Sequence, residues 1–319
     1  MFYKDEDKLC DLTTKAISIC HIFLRDSIYH DPSVVSLRDI SRFTKCVEFF
    51  QDYFLKKNNQ SEFNLNDESK KLYKIKSIIC SIYICYYLRL TEEMQRADFE
   101  TRLQRILLEI VNVYNPEDNE HECGNLFAKI KNRKLSIELS SENFNRFSDL
   151  LRIEEEFLIE QIELDRSINK NQLLKENLFL LFLSVVTKIP FIIIGKPGTG
   201  KSLGVQLIYN SMRGKYSKTN FFKQYPKIIQ IYYKCSELTT SQEITEIFIK
   251  GEDLYCNYRK TNINNEDLVP IYMILFDDIH LANKAISNPL IVLQNKIEYD
   301  GKTEGICFIG ISNYSLNST

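Results

Sequence analysis

Eight consecutive residues have the types and spacing of a phosphate-binding loop. They fit the pattern G-x-x-x-x-G-K-[ST] at every fixed position. The eight are Gly195, Lys196, Pro197, Gly198, Thr199, Gly200, Lys201 and Ser202. Glycines let several backbone N–H groups face one anion, and a helix beginning near Lys201 directs the positive end of its dipole to the same place. The motif therefore predicts polyphosphate binding, with Lys201 on the phosphates and the Ser202 hydroxyl on Mg²⁺.

The segments on either side are those that such a loop needs. An apolar run at 190–194 precedes the loop and predicts a strand, and the pattern at 203–208 predicts a helix. A chance glycine turn between a strand and a helix is the alternative interpretation. The strand, loop and helix in this order favour the phosphate-binding loop.

Beyond the loop, the chain alternates between strand and helix patterns. Strands are predicted at 228–233, 271–276 and 306–311, and helices at 241–248 and 289–297. Fully apolar strands separated by helices indicate a parallel sheet covered on both faces. The predicted fold is therefore α/β, a P-loop NTPase sheet flanked by helices.

Three polar side chains follow the predicted strands, where ligands of parallel sheets bind. Asp277 and Asp278 come directly after the strand at 271–276, which is the Walker B position, so Asp277 is expected to hold the Mg²⁺ hydration shell. Hydrolytic P-loop proteins of this class usually have Glu as the second residue to polarise the attacking water, and Asp278 is one methylene shorter. Asn313 ends the last strand and suits the sensor-1 role of AAA+ proteins, contact with the γ-phosphate or the water. An acidic strand cap and a turn asparagine are the alternatives.

A GTPase is a rival within P-loop proteins. Residues 295–298 read N-K-I-E, which resembles the guanine-reading motif N-K-x-D. The fourth residue differs, and the quartet falls within or at the end of a predicted helix rather than after a strand. ATP is therefore the expected nucleotide.

The N-terminal part of the chain has helical periodicity and few helix breakers. Apolar residues recur at helical spacing over 9–23 and 43–54, and Ser36 is a predicted N-cap. The nearly apolar segment 75–88 predicts a buried central helix of a small bundle rather than a membrane span, because Lys76 interrupts it and it is too short.

Composition limits the classes of partner. The chain has 319 residues and a net charge of -2, which gives no electrostatic case for nucleic acid or an anionic membrane as a partner. No run of ~18 apolar residues and no signal-peptide layout is present, so a cytoplasmic location is predicted. The nine cysteines contain no C-x-x-C pair and indicate free thiols rather than a zinc site. His121, Glu122 and Cys123 are interpreted as a polar loop.

Several segments in order resemble an AAA+ module of the mysterin family, giant dynein-like AAA+ ubiquitin ligases. They are 174–179, 189–198, 201–203, 221–223, 288–293 and 308–314. The resemblance implies ATP and Mg²⁺ as ligands, neighbouring AAA+ modules of a longer protein as partners, and ubiquitin-pathway proteins as further partners.

A weaker resemblance lies upstream. Residues 31–42 and 85–90 are similar to the helical lid that closes the preceding AAA+ module in that family. The polar residues 115–120 predict an exposed loop and a domain boundary. The predicted domains are a bundle at 1–114 that resembles this lid, a linker at 115–170 and a nucleotide-binding core at 171–319. Arg38 would then be a sensor-2 arginine for a nucleotide on another module, and an arginine in a surface salt bridge is the alternative.

Departures from the family pattern bear on activity. Asp278 stands where the family has the Walker B Glu, which affects hydrolysis rather than binding, and Thr199-Gly200 fits the general P-loop pattern better than a serine-rich loop. The chain stops at Thr319, just past the expected sensor 1, so weak hydrolysis in isolation is expected and no ligase chemistry can be assigned to it. A non-hydrolysing, ATP-holding structural module and a truncated inactive fragment remain alternatives.

Overall fold

A computed structural model describes residues 2–29, 35–58, 67–113, 146–166, 168–261, 268–282, 289–299 and 305–313. The chain divides into two compact units, Met1–Glu154 and Glu155–Thr319. The predicted loop at 115–120 and the cluster at 121–123 lie outside the described residues. The predicted domain boundaries at 114/115 and 170/171 stay predictions.

The described part of the first unit is helical. Its elements are α1 (Phe2–Ile22), a π-helical turn (Phe23–Tyr29), α2 (Leu37–Lys57), α3 (Asp67–Cys85), a 3-10 turn (Tyr87–Arg89), α4 (Glu93–Asn112) and the start of α5 (Ser148–Gln161). Helix α2 begins where the sequence predicted it. The Ser36 hydroxyl accepts from the Arg38 N–H at 3.3 Å, and the Asp39 carboxylate accepts from the Ser36 N–H at 2.8 Å. Such reciprocal capping fixes the helix start and contributes about 1 kcal/mol.

Helix α3 is the buried central helix that the sequence predicted, although it ends at Cys85 rather than Leu88. Lys76 is buried on it, with its ammonium 4.7 Å from the centroid of the Phe54 ring and 3.8 Å from the carboxylate of Glu154. Glu154 is fully buried and also pairs with Lys57 at 2.8 Å. Because a buried carboxylate is costly without partners, these two ammonium groups make its burial tolerable.

The second unit is a parallel sheet with helices. Its elements are the end of α5, α6 (Gln172–Thr187), β1 (Phe191–Ile194), α7 (Lys201–Ser211), a 3-10 turn (Gly214–Tyr216), α8 (Asn220–Lys223), β2 (Ile228–Lys234), α9 (Ser241–Thr261), β3 (Ile271–Asp277), α10 (Ile279–Ala282), α11 (Leu290–Tyr299) and β4 (Ile306–Ser312). The described strands run in the order β1-β4-β3-β2, all parallel. The α/β parallel-sheet fold expected from the sequence is confirmed.

Helix α9 is longer than predicted and lies close to the sheet. The sequence predicted a helix over 241–248, but it continues to Thr261 through Gly251. A Cβ on Gly251 would lie 3.4 Å from Cδ1 of both Ile231 and Ile274, so the missing side chain lets the helix pack closely. Glycine in mid-helix is a packing device here and does not end the helix.

The structure also bears on the guanine motif, the cysteines and the membrane question. Residues 295–298 lie within α11, so the N-K-x-D resemblance is not at a strand end.

Among the described cysteines, six are buried and two, Cys10 and Cys256, are exposed. No group of three or more metal-ligating side chains occurs in the described ranges. No helix in the described part of the chain is long and apolar enough to cross a membrane.

Candidate nucleotide-binding site

The predicted site residues follow three strands at one edge of the sheet. Ile194 at the end of β1 pairs with Ser312 at the end of β4, and Phe276 of β3 pairs with Gly310 of β4. Since all these strands are parallel, their carboxyl ends share an edge. The loop from Gly195 onward, Asp277 and Asn313 emerge from this edge.

The glycine loop is held by hydrogen bonds to β4 and within the loop itself. The Gly195 N–H donates to the Ser312 carbonyl at 3.2 Å, which anchors the loop to β4. The Lys196 carbonyl accepts from the Thr199 N–H at 3.3 Å and from the Thr199 hydroxyl at 2.8 Å. The bonds close a tight turn over 195–199.

Two glycines give the loop a shape that other residues adopt with strain. Gly198 has φ 82 and Gly200 has φ 79, both in the left-handed region. A Cβ on either would meet nothing within 4 Å. The glycines are therefore required by backbone conformation, and the space beside them is open to a ligand.

Lys201 begins helix α7 and reaches back across the loop. Its ammonium donates to the Gly195 carbonyl at 2.6 Å and to the Lys196 carbonyl at 2.8 Å, and the residue is 8% exposed. The next residue, Ser202, is exposed. The loop thus keeps one cation at its base and one accessible hydroxyl in the first turn of the helix.

Helix α7 is set firmly against α6. A Cβ on Gly204 would lie 3.2 Å from Cδ1 of Leu181 and 3.9 Å from Cδ2 of Leu178. The Gly204 N–H also donates to the Gly200 carbonyl at 2.9 Å. The missing side chain of Gly204 therefore lets α7 lie close to α6.

Asp277 ends β3 with both carboxylate oxygens engaged. Oδ1 accepts from the Asp278 N–H at 3.0 Å, and Oδ2 accepts from the Tyr232 hydroxyl at 3.2 Å. Burial raises the pKa of Tyr232, and the Asp277 carboxylate raises it further. Tyr232 is 54% exposed and lies on β2, the last strand in the sheet order, so its hydroxyl reaches the acid from the side of the sheet.

The structure brings Asp278 and Asn313 together. The Asn313 side-chain amide donates to Asp278 Oδ1 at 3.1 Å, and Lys234 Nζ lies 3.8 Å from Asp278 Oδ2. Asp278 has φ 54, a left-handed conformation that Asp tolerates better than most residues. The two predicted water-positioning residues are therefore neighbours.

Two further residues at this edge, His280 and Tyr232, were not found from the sequence. The buried His280 accepts at Nδ1 from the Asn313 N–H at 3.3 Å, so in its neutral form the proton is on Nε2. The tyrosine lies in a strand pattern that looked like core, and His280 lies just beyond the predicted acidic pair.

The remaining predicted residues are less connected. Within the described structure, no hydrogen bond joins Ser202 directly to Asp277. Arg38 is exposed in the first turn of α2, in the first unit, and its sensor-2 role stays a prediction. The acid next to it, Asp39, is buried and pairs with Arg89 and Arg42.

The oxygen atoms at this edge are of the kind that Mg²⁺ accepts. A serine hydroxyl at the start of α7 and two carboxylates after β3 are hard ligands, and Mg²⁺ commonly uses only one or two protein ligands with water and phosphate oxygens. The open left-handed glycines beside Lys201 suit a polyphosphate. The residues present therefore fit a magnesium nucleotide.

Comparison with known proteins confirms the mysterin-type resemblance. Residues 167–319 match a family model described as the RNF213 AAA domain. The chain is 29% identical over 171 residues to E3 ubiquitin-protein ligase rnf213-beta of Danio rerio, a match that covers 51% of this chain and 3% of the relative. It is 24% identical over 302 residues to E3 ubiquitin-protein ligase RNF213 of Homo sapiens, covering 89% of this chain and 5% of the relative. The chain therefore spans a small fraction of the length of these relatives.

Proposed function

From the premise that residues 167–319 form an AAA module of the RNF213 type, we propose that this chain binds Mg-ATP at the carboxyl edge of its parallel sheet. The observation that carries the proposal is the loop itself. Two left-handed glycines open onto free space, and a nearly buried lysine crosses the base of the loop with its ammonium on two loop carbonyls. An ammonium kept there offers its charge to a polyphosphate tail.

Each site residue has one role in this proposal. The backbone of 195–200 cradles the phosphates, and Lys201 contacts the β- and γ-phosphates. Ser202 and Asp277 would hold Mg²⁺, directly or through water, and the metal would supply positive charge beside the phosphates. Asp278 and Asn313 would orient the attacking water.

Hydrolysis by this chain is proposed to be weak. Asp278 lacks the extra methylene of Glu, and its Oδ1 already accepts from the Asn313 amide. A carboxylate that is short and engaged is badly placed to orient and polarise a water. The family resemblance also implies that lids and arginines from neighbouring modules complete such sites, and these stabilise the transition state.

A non-hydrolysing structural module is the second candidate. The contact between Asp278 and Asn313, together with Lys234 at 3.8 Å, favours it, because a carboxylate held by these partners is not free to orient a water. ATP would then order the module without being consumed.

Phosphate release by the native chain and by Asp278→Glu separates the two candidates. Measurable release by the native chain supports a slow ATPase, whereas release by Asp278→Glu alone supports the structural module. Asp278→Asn is the matched control, since it keeps the size of the side chain and tolerance of the left-handed backbone while removing the charge. Equal release by all three chains would contradict both roles for Asp278.

The wider context of the module belongs to the same proposal. The matched relatives are named as E3 ubiquitin-protein ligases. We propose that this module belongs to a mysterin-type protein of the cytoplasm and lies beside further AAA+ modules. Ubiquitin-pathway proteins are proposed as partners of that longer protein.

A further inference from the structure

A basic stretch lies between the end of α7 and the start of β2, at the amino-terminal ends of the strands, whereas the glycine loop lies at their carboxyl ends. Residues 213–227 contain five Lys or Arg and no Asp or Glu, in a chain whose net charge is -2. The five are Arg213, Lys215, Lys218, Lys223 and Lys227. Helix α7 has 11 residues and is about 16 Å long, so this stretch at its C-terminal end is separate from the phosphate loop at its N-terminal end.

Backbone contacts bring the two ends of the stretch together. The Ile228 N–H donates to the Met212 carbonyl at 3.1 Å, which sets Arg213 beside Lys227. Gly214, with φ 62, allows the approach, because its Cβ would lie 3.4 Å from the backbone nitrogen of Lys227.

The buried Ser217 closes the turn between them. Its hydroxyl accepts from the Arg213 N–H at 2.9 Å and donates to the Phe222 carbonyl at 3.4 Å. A buried hydroxyl with both partners fixes the turn. The basic groups are therefore carried by an ordered backbone rather than by a loose loop.

A cavity of about 290 Å³ opens between these ends. It is lined by Tyr209, Arg213, Tyr216, Lys227 and Ile228, and none of these is acidic. Within the described structure, the guanidinium of Arg213, the ammonium of Lys227 and the two tyrosine hydroxyls have no hydrogen-bond or ion-pair partner. The lining of this one concave space thus includes four side chains that can donate hydrogen bonds, and they carry a net charge of +2.

A neighbouring cavity differs in charge. It shares Arg213, but its lining includes Glu163, which pairs with Lys218. The Glu163 carboxylate would repel an anionic ligand, and it already forms an ion pair with Lys218. The cavity between Tyr209 and Lys227 is therefore the one suited to an anion.

We propose that this cavity binds a phosphate monoester, free or carried on a peptide, at a second site distinct from the nucleotide loop. A guanidinium matches the oxygens of a phosphate in a two-point contact, and an ammonium adds a compact charge. Tyr209 and Tyr216 supply hydroxyl donors, and Tyr216 is 75% exposed. The dimensions match the lower range of small-ligand sites.

Binding is measured on the complete chain with three fluorescent or competing probes. They are a neutral peptide with one phosphoserine, the same peptide with serine, and glycerol 2-phosphate as a free monoester. The phosphopeptide is expected to bind and the serine peptide to fail. Competition by glycerol 2-phosphate at equal affinity indicates a free ester as the ligand, and much weaker competition indicates a peptide-borne one; both support the site.

Variants locate the binding. Arg213→Gln and Lys227→Gln are each expected to weaken it about tenfold or more, since each removes a charge-assisted hydrogen bond. Lys223→Gln is the matched control, because Lys223 belongs to the same basic stretch but lies outside the cavity and donates to Asn220 at 3.3 Å. Lys201→Ala should leave this affinity unchanged, which separates the cavity from the phosphate loop.

A spectroscopic reporter serves as a second measurement. The chain contains no tryptophan, so Tyr216→Trp places a single indole at the cavity, and its emission should change with the phosphopeptide alone. Equal affinity of the serine peptide, loss of binding in Lys201→Ala, or unchanged binding in both Arg213→Gln and Lys227→Gln would overturn the proposal. Tighter binding of a single-stranded oligonucleotide that displaces the phosphopeptide would also overturn it and assign the surface to nucleic acid.

Discussion

Gly200→Ala isolates the backbone requirement of the phosphate loop. Gly200 has φ 79, and a Cβ at this position would meet no atom within 4 Å, so alanine adds no steric clash with neighbours and only left-handed strain. That strain amounts to about 1–2 kcal/mol. For a protein unit of this size, each kcal/mol shifts the melting temperature by about 2–4 °C, so a fall of about 2–8 °C is expected.

The same strain bears on ligand affinity. The part of this strain that alanine relieves by moving the loop out of its open shape does not lower the stability, but ATP must restore it on binding. Relief of all of it, about 1–2 kcal/mol, weakens binding by about 5–30-fold. Gly200→Asn should recover part of both losses, because asparagine tolerates the left-handed region. Melting followed by circular dichroism and titration calorimetry with Mg-ATP measure the two effects.

Gly204→Ala is the control, four residues further along. It lies inside α7, where alanine favours helix by about 1 kcal/mol, and its Cβ would meet the flexible Leu181 side chain at 3.2 Å. ATP affinity should stay at the native value. The reasoning is refuted if Gly200→Ala melts and binds like the native chain, or if both alanine variants lose ATP binding equally.

Two further predictions concern titratable groups. Burial alone would raise the pKa of Asp39, but the hydrogen bond and charge pairing with Arg89 hold that pKa below its usual value. The ionised Asp39 therefore stabilises the fold above about pH 4, and this stabilisation is lost as the pH falls through the lowered pKa. The melting temperature of Asp39→Asn should therefore change less than that of the native chain between about pH 5 and pH 3; parallel curves would contradict the pairing. Burial raises the pKa of Cys235 to about 12, so at about pH 8 iodoacetamide should modify the exposed Cys10 and Cys256 before Cys235. Peptide mass spectrometry measures the order of labelling, and early labelling of Cys235 would count against its burial.

The shared edge of the proposed nucleotide site was predictable because parallel strands bring their carboxyl ends together. Asp278 and Asn313 are 35 positions apart, yet each follows an apolar strand, and that alone predicted a shared edge, where their side chains meet at 3.1 Å. The loop was predictable for a different reason, since glycines at this fixed spacing indicate left-handed backbone positions, which Gly198 and Gly200 adopt.

Side contacts at the same edge were not predictable. Tyr232 looked like a core residue because β2 is rich in apolar and aromatic residues, and only the position of β2 at the end of the sheet order exposes it to Asp277. His280 gave no signal of its own, since a lone histidine after an acidic pair has no characteristic spacing. Which side chain reaches which partner depends on strand order, and the local sequence does not specify that order.

The cavity at the opposite edge was missed for a related reason. A net charge of -2 argued against an anionic partner, but net charge says nothing of where the cations lie. Arg213 and Lys227 become neighbours through the Gly214 turn and the bond from Ile228 to Met212, and these are tertiary contacts. The sequence did offer one signal of this site, since residues 213–227 contain five Lys or Arg and no Asp or Glu.

Calorimetric titration of the chain with Mg-ATP, native and Lys201→Ala, tests the central claim most directly. The native chain should bind one nucleotide, and Lys201→Ala, which removes the ammonium from the base of the loop, should lose measurable binding while circular dichroism shows the fold unchanged. Equal affinity of the two folded chains for Mg-ATP would contradict the assignment of this edge as a nucleotide site.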